Sequence, residues 1–207
     1  GERVDYTKYI DTRFSAKKDL LIDGIGLKID VVVWKEKIRE KFCIYFMNLE
    51  GVLKGRDTTS FNRNTVNFNH SVFVRSLCFD RDSDTSLTTD DSGNEQIAFD
   101  DQPSNRTFLR KVKKEIQEAI DDALTAFLSA QATKAVQDMM DRESFPTFSD
   151  DIPGQLQKKD LMTVTQELYK LDARIFYKLK PIQEKSLLGF INLLLQSEER
   201  ENMLDII

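Results

Sequence analysis

The sequence predicts an α+β fold, in which strands come first and helices follow. Apolar side chains alternate with other residues from Leu27 to Val33, which is the period of a half-buried strand. After Pro103 the apolar period changes to about 3.6 residues, as in a helix. The 207 residues are 40% hydrophobic, which is enough to form a core. We therefore expect a β-rich part at 1–102, with about four to five strands, and a helical part at 103–207.

The strands are predicted in order from their patterns and turns. After the first strand, Phe42–Asn48 is apolar on both faces and is expected to be central. Gly51 supplies the turn to a returning strand that begins at Val52, since glycine adopts a positive φ easily. His70–Phe79 forms the next strand. An acidic loop is expected between Asp80 and Asp101, with a short final strand at Ile97–Phe99.

Three helices are predicted in the C-terminal part. The first covers about 104–142, which is on the order of 55 Å long at the rise of an α-helix. Pro146 and Pro153 are expected to break the chain after it. Asp160 is the expected N-cap of a helix at about 160–172, and Pro181 begins a helix at about 181–198.

Composition limits the classes of function. The net charge is -5 and both signs are spread along the chain, which argues against a surface dedicated to nucleic acid or membrane. No apolar run approaches the roughly 18 residues of a membrane helix, so we expect a cytoplasmic protein with no membrane partner. Cys43 and Cys78 each lie in an apolar run and are expected to be buried free thiols.

The sequence predicts no catalytic residue and no metal site. His70 is the only histidine, which excludes sites with two histidine ligands, and without a Gly-x-Ser-x-Gly turn we expect it to be structural. The segment Asp23–Gly26 lacks the spacing of a nucleotide-binding loop, so a turn before a strand is expected.

Two clusters of charge have competing interpretations. Asp82, Asp84, Asp90 and Asp91 lack the EF-hand pattern, so a solvated loop is preferred and a metal-dependent enzyme is the weakest alternative. The long helix begins with a run of cations, which is expected either to form a solvated, salt-bridged face or to contact anions such as nucleic-acid phosphates. These cations are Arg106, Arg110, Lys111, Lys113 and Lys114.

Several phrases suggest a family resemblance that extends from about Leu27 to the end. They include Tyr45–Val52, Val72–Ser76 with Phe79–Asp80, Asp160–Leu171, Ile175–Leu179, Gln183–Leu188 and Ser197–Arg200. Together they resemble the region that follows the ATPase domain in bacterial GHKL-type proteins. That superfamily unites gyrase B, MutL, histidine kinases and the ninety-kilodalton heat-shock chaperones.

The resemblance implies a transducer domain that packs on an ATPase domain and passes on its nucleotide-driven closure. The Glu/Asn helix motif and the Asp-x-Gly-x-Gly motif of that ATPase domain are absent. We therefore expect no ATP hydrolysis and no cofactor here, with ATP and Mg²⁺ bound in a preceding domain of a longer parent protein. Gly1 and the apolar end at Met203–Ile207 favour an excised piece of such a parent. The family's phosphate-contacting cation has three candidates: Lys54, Arg56 and Arg106.

The leading hypothesis is thus a non-catalytic transducer and linker, whose partner is the parent's own ATPase domain. A homodimer also stays open. The alternative from another class is an independent scaffold that binds protein or nucleic acid, with Arg110, Lys111, Lys113 and Lys114 as the contact residues.

Overall fold

The computed structural model describes residues 6–39, 41–60, 66–80, 88–89, 95–96, 103–197 and 200–205. It contains two compact units, Gly1–Thr125 and Ala126–Ile207. The first holds a mixed sheet and the second is helical, so the predicted α+β class is confirmed. The division between the units falls within a long helix, whereas the sequence placed it just before that helix at 102/103.

The first unit is built on a five-stranded sheet of order β1-β2-β5-β3-β4. β3 and β5 are parallel, and the other neighbours are antiparallel. The strands are β1 (Ala16–Ile22), β2 (Ile25–Trp34), β3 (Cys43–Met47), β4 (Leu53–Thr58) and β5 (Asn69–Arg75). A separate antiparallel pair is formed by β6 (Thr88–Thr89) and β7 (Glu95–Gln96). The predicted strand at Ile97–Phe99 and the acidic residues Asp82, Asp84, Asp90 and Asp91 lie outside the described residues. The predicted loop between Asp80 and Asp101 is wrong where β6 and β7 pair with each other.

β1 was not predicted from the sequence, although a local signal for it exists. It pairs with β2 through a two-residue turn, Asp23-Gly24, in which both residues have positive φ (51° and 80°). Such a turn matches the twist of two paired strands, and Asp-Gly is one of its preferred sequences. The segment Asp23–Gly26 is therefore a turn before a strand, as expected, and Asp23 and Gly24 set the backbone conformation of the hairpin.

β5 ends earlier than predicted, at Arg75. The next residue, Ser76, donates its hydroxyl to the carbonyl of Gly26 (2.7 Å) and accepts the amide of Cys78 (3.3 Å). The local bond to the amide of Cys78 starts a 3₁₀ turn at Leu77–Asp80 in place of further strand. The predicted extension of the strand to Phe79 is wrong for that reason.

The two faces of the sheet differ in cover. One face, here called the inner face, carries Leu27, Ile29, Val72, Val74 and Phe46, each at most 2% exposed. The first part of helix α1 (Pro103–Asp141) packs on it through buried side chains such as Val112, Ile116 and Ile120. The opposite, outer face alternates with it and carries polar and aromatic residues. The prediction of a long helix at about 104–142 is confirmed to within one residue at each end.

The second unit contains the last part of α1 and four further helices. They are α2 (Ile152–Leu171), α3 (Arg174–Tyr177), α4 (Pro181–Leu195) and α5 (Arg200–Asp205). The start of α4 at Pro181 is confirmed, with the proline in the first turn. Buried residues of this unit include Leu161, Val164, Leu188 and Ile191.

The predicted N-cap of α2 is wrong. Asp151 is the N-cap and accepts the amide of Gly154 (2.9 Å), with Pro153 in the first turn rather than in a break between helices. Asp160 lies inside the helix, where its carboxylate accepts two bonds from Arg200 (2.6 and 3.0 Å). An aspartate that precedes an apolar stripe is typical of an N-cap, but the same pattern also occurs inside a helix, where the aspartate is free to bond another side chain.

Candidate functional site

The basic start of α1 makes several ion pairs with the sheet unit. Lys111 binds Asp23 in the β1–β2 turn (2.6 Å), and Lys113 binds Asp57 on β4 (2.7 Å). Each of these four side chains is at least one-third exposed, so each pair adds little stability. Together they fix the position of the helix relative to two separate strands.

A third ion pair of the same kind comes from the sheet side. Lys18 on β1 binds Glu115 of α1 (2.7 Å), and this hydrogen bond raises the pKa of the Lys18 ammonium above its ordinary value. Ser60 also donates to Gln117 of α1 (3.1 Å). The helix is thus attached to β1, to the β1–β2 turn and to β4 by side chains of both signs.

The remaining predicted contact residues of α1 are more open. Lys114 lies 3.5 Å from Glu118, one turn further along the helix, and its side chain is 76% exposed. Arg106 and Arg110 are exposed. The solvated, salt-bridged interpretation accounts for Lys111, Lys113 and Lys114 through the ion pairs given above. The assignment of Arg110, Lys111, Lys113 and Lys114 to a partner or nucleic acid stays a prediction.

The outer face of the sheet brings together residues that the sequence did not connect. Directly opposed residues of neighbouring strands share a face. The register therefore forms one row across all five strands, which we call the outer row: Lys17, Asp30, Phe73, Tyr45 and Arg56.

The outer row is ordered by ring and charge contacts. The rings of Tyr45 and Phe73 stack with centroids 5.1 Å apart and planes at 15°. The guanidinium of Arg56 lies 5.7 Å from the centroid of Tyr45, and its Nη2 also donates to the sulfur of Cys43 (3.0 Å). Arg56, a predicted phosphate contact, is therefore held on an aromatic surface, as guanidinium groups favour.

The next row of the outer face is also rich in cations. Arg75 binds Asp30 (2.7 Å) and is directly opposite Lys28, which in turn is opposite Asp19. The two rows together hold four cations (Lys17, Lys28, Arg56 and Arg75) and two carboxylates (Asp19 and Asp30). This part of the face has a net charge of 4 − 2 = +2 in a chain of net charge -5.

Lys54 is the other predicted phosphate contact on β4. It lies at an irregularity in the pairing of β3 with β4, where the register shifts between Phe46 and Met47. It is half-buried and lies one residue from Gly55, whose partner is Phe46 on the inner face. Arg106 lies on α1 rather than on β4. The structure therefore does not place the three predicted phosphate contacts in one row.

His70 is part of the core beneath the inner face. It is 0% exposed, its Nε2 lies 3.2 Å from the hydroxyl of Thr59, and its Nδ1 lies 3.3 Å from the carbonyl of Phe68. Burial lowers the pKa of His70 to about 4, because a charged imidazolium has no water there. The histidine is buried, as expected of a structural residue. Cys43 and Cys78 are also buried and free, which confirms that prediction.

Within the part of the chain that the structure describes, no three His, Cys, Asp or Glu side chains lie close enough to hold a metal ion. In the same part, every helix is too short or too polar to cross a membrane. Comparisons with protein-family models, with curated proteins and with solved structures found no match to this chain.

Proposed function

We propose that this chain is a non-catalytic transducer and linker of a larger GHKL-type ATP-binding protein. The observation that supports it best is that α1 is fixed by charged side chains at both ends, in different units. In the sheet unit Lys111, Lys113 and Glu115 hold its beginning. In the helical unit Arg142, the residue after the helix, holds its end: its amide bonds Asp138 of α1 and its side chain bonds Glu184. A continuous helix of 39 residues is stiff enough to carry a displacement between such attachments.

The test uses the longer protein that the proposal requires. Hydrogen exchange of α2 and α4 is measured with and without a non-hydrolysable ATP analogue. We expect the analogue to change their protection, and a Thr125→Gly, Ala126→Gly variant to reduce that change, because two glycines weaken the helix where the units divide. The matched control, Thr125→Ala, removes the same exposed threonine side chain but keeps a good helix former at the division, so it should leave the change as in the wild type.

Two results would remove the proposal. One is a natural reading frame whose upstream region binds no ATP. The other is nucleotide-dependent protection that is the same in the wild type and in the double glycine variant, since coupling through α1 requires its continuity. The isolated chain should show no ATP turnover in either case, so that assay tests only the non-catalytic part of the proposal.

A second candidate is an independent binding scaffold, and the outer row favours it. Its stacked rings, the guanidinium of Arg56 and that of Arg75 in the next row suit single-stranded nucleic acid, which binds to aromatic surfaces edged by cations. The expected result is fluorescence-anisotropy binding of a single-stranded oligonucleotide that weakens with salt. If the outer face is the contact surface, Arg56→Gln with Arg75→Gln should abolish most of the oligonucleotide binding. If the helix is the contact surface, Arg110→Gln with Lys114→Gln should abolish it instead. Absence of binding by the wild type would remove the nucleic-acid version of the scaffold.

A further inference from the structure

The helical unit contains a cavity of about 460 Å³ that the proposed coupling role does not use. Its wall on one side is formed by Lys134 and Asp138 on one face of α1 and by Arg142, the residue that follows the helix. The other side is aromatic and includes Tyr169, Phe176 and Tyr177. The volume is within the range of small-molecule sites, which is roughly 300 to 1,000 Å³.

Arg142 is held in place by a buried carboxylate. The side chain of Glu184 is only 7% exposed and accepts Nη2 of Arg142 (3.0 and 3.2 Å) and the hydroxyl of Ser144 (3.0 Å). Among the described residues, Nε and Nη1 of Arg142 have no hydrogen-bond partner. The cavity is therefore lined by a guanidinium of fixed position that still has donors to offer.

Two further charged side chains, Lys134 and Asp138, line the cavity from the same helix face. Across the described part of the chain, neither the ammonium of Lys134 nor the carboxylate of Asp138 takes part in an ion pair or a side-chain hydrogen bond. Residues four apart on a helix are neighbours, with about 5 to 6 Å between their Cβ atoms. The cavity thus presents a positive and a negative group side by side, and their charges sum to zero.

The aromatic side supplies flat apolar surface with one polar point. Tyr169 and Phe176 have ring centroids 6.0 Å apart and planes at 27°. The hydroxyls of Tyr169 and Tyr177 are 3.0 Å apart and bonded to each other. Burial raises the pKa of Tyr169, so its hydroxyl stays neutral at physiological pH. This side therefore adds no charge to the cavity.

We propose that the cavity binds a small zwitterion of the amino-acid class with an aromatic or large apolar side chain. The carboxylate of the ligand would bond Arg142 and Lys134, its ammonium would bond Asp138, and its side chain would pack on Tyr169 and Phe176. A simple anion would meet the unpaired carboxylate of Asp138, and a simple cation would meet Lys134. Only a ligand with both charges leaves the site balanced, which is why a zwitterion is favoured over either.

The test is isothermal titration of the whole chain with three probes of one shape. They are L-phenylalanine, 3-phenylpropanoate, which lacks the ammonium, and 2-phenylethylamine, which lacks the carboxylate. We expect saturable binding of L-phenylalanine and about tenfold or more weaker binding of the other two, because each loses a charge-assisted hydrogen bond.

A pair of variants on one helix locates the site. Asp138→Asn keeps the shape of the side chain and should weaken L-phenylalanine binding about tenfold. Asp141→Asn changes an exposed aspartate that accepts a bond from Gln137 and lies outside the cavity, so its affinity should equal that of the wild type. The inference is overturned if L-phenylalanine does not bind, if the three probes bind equally, or if both variants bind alike. None of these outcomes depends on whether the chain transmits an ATP-driven change.

Discussion

Replacing Arg142 by leucine should destabilise the helical unit much more than replacing Glu184, although the two side chains share one ion pair. The difference follows from their burial, since the side chain of Arg142 is 47% exposed and that of Glu184 is 7% exposed. In Glu184→Gln the amide oxygen still accepts the buried hydroxyl of Ser144 and the guanidinium is hydrated by solvent, so the loss is at most that of a charged hydrogen bond, about 1.5 kcal/mol. In Arg142→Leu a buried carboxylate keeps only the hydroxyl of Ser144, which costs about 3 kcal/mol or more.

The assay is urea unfolding followed by far-ultraviolet circular dichroism for the helices and by tryptophan fluorescence for the sheet unit. Trp34 is the only tryptophan and lies on β2, so its transition should change little in either variant. Arg174→Leu is the matched control. It removes an ion pair with Asp172 in which the arginine is 63% exposed, and should change the free energy of unfolding by less than about 1 kcal/mol.

The double variant completes the argument. With both charges removed, no buried carboxylate is left unpaired, so the double variant should be more stable than Arg142→Leu alone. Equal losses in the two single variants, or a larger loss in Glu184→Gln, would refute the reasoning from burial. A double variant no more stable than Arg142→Leu would do the same, because the cost would then lie in packing rather than in the unpaired charge.

Four further predictions each concern one residue. The pKa of His70 is about 4 when folded and 6.5 when unfolded, so the unfolded state binds more protons between these values. Stability should be constant above about pH 6.5 and fall toward pH 4 by up to about 1.4 kcal/mol per pH unit. This slope, measured from Trp34 urea midpoints, should be smaller in His70→Phe, and an unchanged slope would contradict the assignment. Gly189→Ala should raise the melting temperature by removing a helical glycine worth about 0.5 to 1 kcal/mol, since nothing lies within 4 Å of its new Cβ. Gly154→Ala should lower it, because the Cβ would overlap the carbonyl and hydroxyl of Ser149; a rise in both would contradict the packing there. Asp151→Ala should cost about 1 kcal/mol in thermal or urea unfolding by removing the cap of α2, and Asp150→Ala, one residue earlier, should cost less. Equal costs would show that Asp151 does not act as the cap.

The candidate site could be predicted only in part. The sequence offers Arg56 only as a cation near a strand end, and the structure places it on the same sheet face as Tyr45, Phe73 and Arg75, which lie on other strands. A cation is visible in the sequence, whereas its neighbours depend on which strands pair. Lys111 and Lys113 are also visible in the sequence as cations. Each forms an ion pair with an aspartate that is distant in the chain, Asp23 and Asp57 respectively. The sequence therefore shows the run of cations but not which of them form ion pairs with carboxylates elsewhere in the chain.

The sequence by itself determined the α+β class, the central strands and the bounds of α1, because hydrophobic period is a local property that each segment carries alone. It also determined the first-turn proline of α4, since a proline's fixed φ acts within one residue. Only the tertiary structure decided that Asp160 bonds Arg200 rather than capping a helix, and that β5 inserts between β2 and β3. That insertion aligns the outer row, because the contacts of a side chain across a sheet are set by strand order and register, which join residues far apart in the chain.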